Sequence, residues 1–188
     1  MSNATPEPTT HDEAQRIQNF LKQGGQVALN EVETIKAQAG VQATIDKPGV
    51  ISYPTTLDHL NTATLAALTR RTTIELEFEG VSPSDRVSAA VFINNSAASR
   101  QTSFEHPSFA GAVSFFMHPM APDNSMVMAE TLLYELDITN VVKRLGRAAG
   151  PVTASVVVQP LHPTSLPSAL TIRSSTLRVL DSTVKRSA

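Results

Sequence analysis

Apart from the first residue, every methionine of the chain falls within twelve residues: Met117, Met120, Met126 and Met128, with His118 among them and Phe116 just before. Thioether sulfur is a soft ligand that suits Cu(I), and an imidazole beside it completes a low-coordinate set, so Met117, His118, Met120, Met126 and Met128 read as a candidate copper(I) transfer site. Two metal-free readings compete with it. Met117 and Met128 can fill a core as flexible packing residues while Met120 and Met126 sit on a hairpin tip. Alternatively, exposed methionines and Phe116 form an apolar plug for a partner's pocket. The histidines are scattered: His11, His59, His106, His118 and His162. Three of them, at 106, 118 and 162, precede proline, which places them in extended segments or turns. Three imidazoles suffice for a metal site if they converge, but solvent-facing loop histidines are the plainer reading.

Other chemistries find less support. The chain has no Gly-x-Ser-x-Gly elbow and no glycine-rich phosphate loop. Glu75, Glu77 and Glu79, spaced by two, make a solvated strand face rather than a catalytic pair, because same-face strand residues do not converge on a substrate. Asp58-His59 resembles a base and its orienter, yet neighbours in sequence do not face each other on a helix and no nucleophile is identifiable. No catalytic residue is assigned. The absence of cysteine excludes disulfides and thiolate sites. A net charge of −2 argues against nucleic acid and anionic membranes as partners. No apolar run approaches the roughly 18 residues of a membrane span, and the first residues lack the apolar core of a secretory signal, so a cytoplasmic location is expected.

The elements that must position the methionine cluster follow from hydrophobic period. Phe109 to Met117 is uncharged and reads as a strand covered on both faces, with Gly111 marking a bulge or a close approach by a neighbouring backbone and Pro119 ending the pairing. Ile74, Leu76 and Phe78 alternate with the glutamates in a strand starting at Arg71, and Gly80 to Asp85 reads as a turn. Further strands are expected at Arg86–Asn94, Thr131–Asp137, Val152–Val158 and Leu170–Leu180, the last supplying one or two. A polar connector runs from Asn95 to Pro107, and Thr139 caps a short helix through Leu145, ended by Gly146. Six or seven short strands with one short helix predict a mainly β fold, an antiparallel β-sandwich over residues 71–180.

The chain before Arg71 reads differently. Residues 1–10 offer nothing to bury and are expected as a disordered tail or a cloning remnant. Ile17, Phe20 and Leu21 predict a helix over Thr10–Gln23, and Val27, Val32 and Ile35 predict a second over Gln26–Ala39. Residues 41–55, with Pro48 and Pro54, read as a linker; Thr56 caps a third helix over Leu57–Leu68. Residues 11–70 are thus expected to form a separable helical appendage, and 181–188 a tail.

Five motifs in order complete the reading: Glu77-Phe78-Glu79-Gly80-Val81 with Pro83, Val91-Phe92-Ile93-Asn94, Pro107-Ser108-Phe109-Ala110-Gly111 with Ser114-Phe115-Phe116, Leu136-Asp137-Ile138-Thr139 through Leu145-Gly146, and Val152 to Pro160. Residues 71–180 thereby resemble the C-terminal domain of tyrosinases and plant polyphenol oxidases. The resemblance implies a β-sandwich that packs over the type 3 copper centre of a separate oxidase domain, restrains it, and commonly places a side chain in its substrate pocket. The copper ligands of that family lie in the oxidase domain, which has no counterpart here. A type 3 centre needs six imidazoles, and five histidines cannot build it. The expectation is a non-catalytic accessory domain of a type 3 copper oxidase, not an enzyme by itself. It shields the active site and assists copper loading through Phe116, Met117, His118, Met120, Met126 and Met128, with no intrinsic cofactor beyond transient Cu(I). The alternative is a sandwich module for protein interaction or homo-oligomer formation with no copper role.

Overall fold

The computed structural model describes residues 26–37, 40–67, 69–79, 87–115, 131–148, 150–160 and 169–185. In chain order the elements are β1 (Gln26–Lys36), β2 (Val41–Ala43), β3 (Gly49–Thr56), α1 (Leu57–Leu65), β4 (Arg70–Glu79), β5 (Val87–Ile93), β6 (Phe109–Phe115), β7 (Leu132–Asp137), α2 (Thr139–Leu145), β8 (Pro151–Pro160) and β9 (Leu170–Lys185). One sheet runs β1-β9-β4-β7, with β2 also on β9, and the other runs β3-β8-β5-β6. Every pairing is antiparallel. The two sheets close on one core, making the expected β-sandwich.

Alternation decides that core. Ile74, Leu76 and Phe78 from β4 and Leu177 and Val179 from β9 meet Val87, Ala89, Val91 and Ile93 from β5 and Val152, Ala154, Val156 and Val158 from β8. The opposite face of β5 is also covered. Ala90, Phe92, Val157 and Ala98 form a second small cluster under the connector, with Phe109 against it. The fully covered strand is therefore β5, all seven of whose residues are buried. The expectation that Phe109–Met117 is covered on both faces does not hold for its described part. β6 ends the sheet order, and its Ala112 and Ser114 are exposed. Small side chains without charge suit an edge as readily as an interior.

The larger corrections lie before residue 57. Gln26–Lys36 is a strand and not a helix, paired along β9 from Gln26↔Lys185 to Lys36↔Thr176. A bulge between Glu31 and Glu33 shifts the phase, so Ile35 packs on the core while Leu29 and Val32 stay exposed. That phase shift breaks the period of two and leaves apolar spacings that imitate a helix. Residues 41–55 are not a linker but carry β2 and β3. Gly49, Ile51 and Tyr53 face inward, alternating with exposed Val50, Ser52 and Pro54. Proline is tolerated there because β3 is an edge strand and Pro54 sits where its pairing with β8 is interrupted. Residues 26–56 thus belong to the two sheets rather than to a helical appendage, and residues 181–185 extend β9 instead of forming a tail. The helix expected over Thr10–Gln23 and the turn at 80–85 lie outside the described residues.

The helices are close to expectation. Thr56 caps α1, its Oγ1 accepting the His59 N–H at 3.2 Å, and Leu57 and Leu60 are buried. The helix ends at Leu65 rather than 68, with Ala66 as its C-cap. Thr139 does not cap α2. Asp137 Oδ1 accepts the Thr139 N–H at 2.9 Å, while Thr139 Oγ1 accepts the Thr72 N–H at 2.8 Å and ties α2 to β4. Gly146 ends α2 with a φ of 65°, a left-handed conformation that glycine takes without steric cost. Across the core, the Tyr53 hydroxyl meets Ser175 Oγ, which donates to the Glu75 carbonyl at 2.9 Å, so a buried polar chain joins β3 to the opposite sheet. Burial pushes the Tyr53 hydroxyl well above its ordinary pKa, and the Ser175 hydrogen bond offsets this in part.

Candidate functional site

Phe116, Met117, His118, Met120, Met126 and Met128 lie in the segment 116–130, outside the described residues. The two strands that frame the segment are described. β6, which leads into it, is an edge of one sheet, and β7, which follows it, is an edge of the other. The two edges meet in an aromatic cluster. Phe115 sits edge-to-face with Phe78 at 5.0 Å and with Tyr134 at 5.5 Å, and Phe78 meets Tyr134 at 6.0 Å. Tyr134 donates its hydroxyl to the Ser114 carbonyl at 3.1 Å, linking β7 to β6 directly, and burial raises its pKa. On the other side of the segment, Thr131 Oγ1 accepts from Arg173 Nη1 at 3.3 Å.

Gly111 holds the two edges close. A bulge in β6 lets Val91 pair with Gly111 and Phe92 with Phe109, and a Cβ on Gly111 would lie 3.2 Å from Leu136 Cδ2 of β7. The close approach expected at this glycine is real, but it comes from a side chain of the other sheet and not from a neighbouring backbone. Sequence spacing showed none of this clamp, because Phe78, Phe115 and Tyr134 stand on three strands far apart in the chain. Aromatic residues at the inward phase of their strands were the available signal.

The other candidates find structural partners. Arg178 bonds Glu75 through Nη1 at 3.0 Å and Nη2 at 3.3 Å, and its Nε lies 3.7 Å from Glu31. Glu77 accepts from Ser174 Oγ and lies 3.8 Å from Arg173 Nη1. Glu75 and Glu77 are thus neutralised by β9 arginines on a sheet surface, each partly exposed pair adding roughly 0–1 kcal/mol. Asp58 and His59 diverge, Asp58 to Arg147 at 3.2 Å and His59 Nε2 to both Glu33 carboxylate oxygens at 2.9 and 3.0 Å. His106 Nδ1 lies 2.7 Å from Ser108 Oγ and accepts the Ser108 N–H at 3.2 Å. A serine beside a histidine invites a nucleophilic reading, but Ser108 is buried and the contacts close a tight local turn.

Among the described residues, no three histidine or acidic side chains are placed to hold a metal. His59 and His106 occupy separate elements with separate partners, and His11, His118 and His162 lie outside the described residues. Among the described residues, the two histidines alone do not make the donor set of a type 3 copper centre. A polar cleft of about 220 Å³ opens elsewhere, on the outer face of the β3-β8-β5-β6 sheet. The β2–β3 turn supplies Thr44 to Pro48, the connector supplies Ser99, Arg100 and Gln101, and Val157 lines it from β8.

No family model matches the chain, and neither does any curated protein. Among solved structures it is similar to a latent aurone synthase (polyphenol oxidase) from natural source, at 13% identity and a TM-score of 0.40, covering 78% of this chain and 24% of that one. The recombinantly expressed latent aurone synthase (polyphenol oxidase) matches at 11% identity and a TM-score of 0.41, covering 86% and 28%. The chain therefore spans only about a quarter of the length of these oxidase chains. At such identities and TM-scores the likeness decides nothing about activity.

Proposed function

We propose that the chain is a non-catalytic accessory domain of a polyphenol-oxidase-like type 3 copper enzyme, presenting the segment 116–130 to the mouth of that enzyme's substrate pocket. The observation that carries this reading is the clamp around the segment. A sandwich that joins its two edges through Phe78, Phe115 and Tyr134 gives rigid footing to the chain on either side of Phe116–Glu130. The five motifs that resemble the tyrosinase C-terminal domain fall mainly on β4, β5, β6, β7, α2 and β8, so they support the scaffold, while Phe116 and the methionines supply the contact. A second reading, transfer of Cu(I) by Met117, His118, Met120, Met126 and Met128, is favoured by the density of soft ligands in one segment.

Two variants separate these readings. Changing Met117, Met120, Met126 and Met128 together to Leu keeps apolar volume and removes thioether ligation. Replacing residues 118–128 by a short Gly-Ser link removes the plug. The test adds each variant to a phenol oxidase that lacks its own lid domain and follows phenol oxidation, with Cu(I) titrated against a competing chelator in parallel. Shielding predicts that the leucine variant still inhibits and the shortened one does not. Copper transfer predicts that the leucine variant loses Cu(I). If the parent neither inhibits the oxidase nor binds Cu(I), both readings fail.

A further inference from the structure

We infer that the cleft between the β2–β3 turn and the connector binds a small carboxylate with a flat apolar body. Its lining has two characters. Val157, Ile45 and Pro48 provide apolar surface, with Val157 continuous with the Phe92 and Ala98 cluster. Lys47 and Arg100 bring one cation from each of the two loops. Nothing strong holds Arg100. Its one described ion pair is to Asp46 at 3.9 Å, and that carboxylate is 86% exposed, free to swing into water when another anion arrives. At about 220 Å³ the cleft falls below the roughly 300–1,000 Å³ of drug-sized sites and suits a molecule of single-ring size.

Of the strand beneath, only Val157 reaches the cleft. Ser155 and Gln159 flank Val157 on the same face of β8, two residues to either side. The Ser155 hydroxyl and the Gln159 Nε2 are both buried without a hydrogen-bond partner, whereas buried polar groups are ordinarily paired. Both groups lie behind the lining and do not reach the cleft, whose own charges are Lys47 and Arg100 against the single carboxylate of Asp46, a net positive lining that complements an anion. Within this otherwise polar cleft, the patch of Val157, Ile45 and Pro48 favours a ring over a bare oxyanion, and the cations select against a neutral ring.

Benzoate is the probe, with benzyl alcohol as the same body without charge and acetate and inorganic phosphate as charge without the body. Amide NMR shifts of the full chain read the site directly at Lys47, Ser99, Arg100 and Gln101. Benzoate is expected to shift these amides saturably and at least tenfold more tightly than the other three probes. Replacing both cations, Lys47→Gln with Arg100→Gln, is expected to weaken benzoate at least tenfold. Both side chains stand on the surface, and an unchanged melting temperature verifies that the variant is folded. Three results would overturn the inference: no saturable shift with benzoate, shifts confined to other residues, or equal binding by the double variant. Phosphate or acetate binding as tightly as benzoate would also overturn it, by reducing the cleft to a surface for any anion.

Discussion

Replacing Phe115 by Ala removes the central ring of the clamp between the two sheet edges. The side chain is only 3% exposed and stands edge-to-face with both Phe78 and Tyr134. Truncating a buried phenylalanine costs about 3–5 kcal/mol in lost transfer energy and residual cavity. Edge-to-face aromatic pairs account for roughly 0.5–1.5 kcal/mol each within that figure. A domain whose whole stability is about 5–15 kcal/mol loses a large part of it. Near this size each kcal/mol moves the melting temperature by about 2–4 °C, so the expected fall is on the order of 10 °C. Urea denaturation reads the same loss as a lower midpoint at unchanged slope. Phe104→Ala is the control, since that ring is 56% exposed and its loss should stay below about 1 kcal/mol. A double-mutant cycle of Phe115→Ala with Tyr134→Leu should return a coupling of about 0.5–1.5 kcal/mol. The reasoning fails if Phe115→Ala costs no more than Phe104→Ala, or if the cycle shows no coupling.

Two further outcomes follow from the sheets. A chain starting at residue 70 lacks β1, β2 and β3, stripping one edge of β8 and one edge of β9, so it should lose cooperative unfolding; a sharp two-state melt in that truncation would contradict the pairing of β3 with β8 and β1 with β9. Tyr53→Phe removes a buried hydroxyl bonded across the core and should cost about 0.5–1.5 kcal/mol near neutral pH. Because burial raises the folded-state pKa of Tyr53 above its ordinary value of 10.0, its neutral form contributes stability that is complete below pH 10 and lost as pH rises beyond it. The phenylalanine variant should therefore lose less stability than the parent on going from pH 9 to pH 11, and equal losses in both would refute the buried, neutral tyrosine.

Local chemistry alone determined much of this protein. Ile74, Leu76 and Phe78 alternate with glutamates, and Val87, Ala89, Val91 and Ile93 share one face with Phe92 on the other, so the strands and their inward sides were legible from period two. Thr56 announced its helix because a cap acts within one turn. The methionine cluster, too, is a property of the chain, though its segment lies outside the described residues. Tertiary structure decided what depends on partners distant in sequence. Gln26–Lys36 became a strand because the 16-residue β9 offers it an edge, and the bulge near Glu31 had hidden its alternation. Residues 41–55 became strands because an edge accepts Pro54. Phe109–Phe115, apolar enough for an interior, took the rim because the all-buried β5 holds the place between it and β8. The clamp of Phe78, Phe115 and Tyr134 and the cleft over Val157 likewise exist only after folding. Each gathers side chains from separate strands or loops, a juxtaposition that no local period encodes.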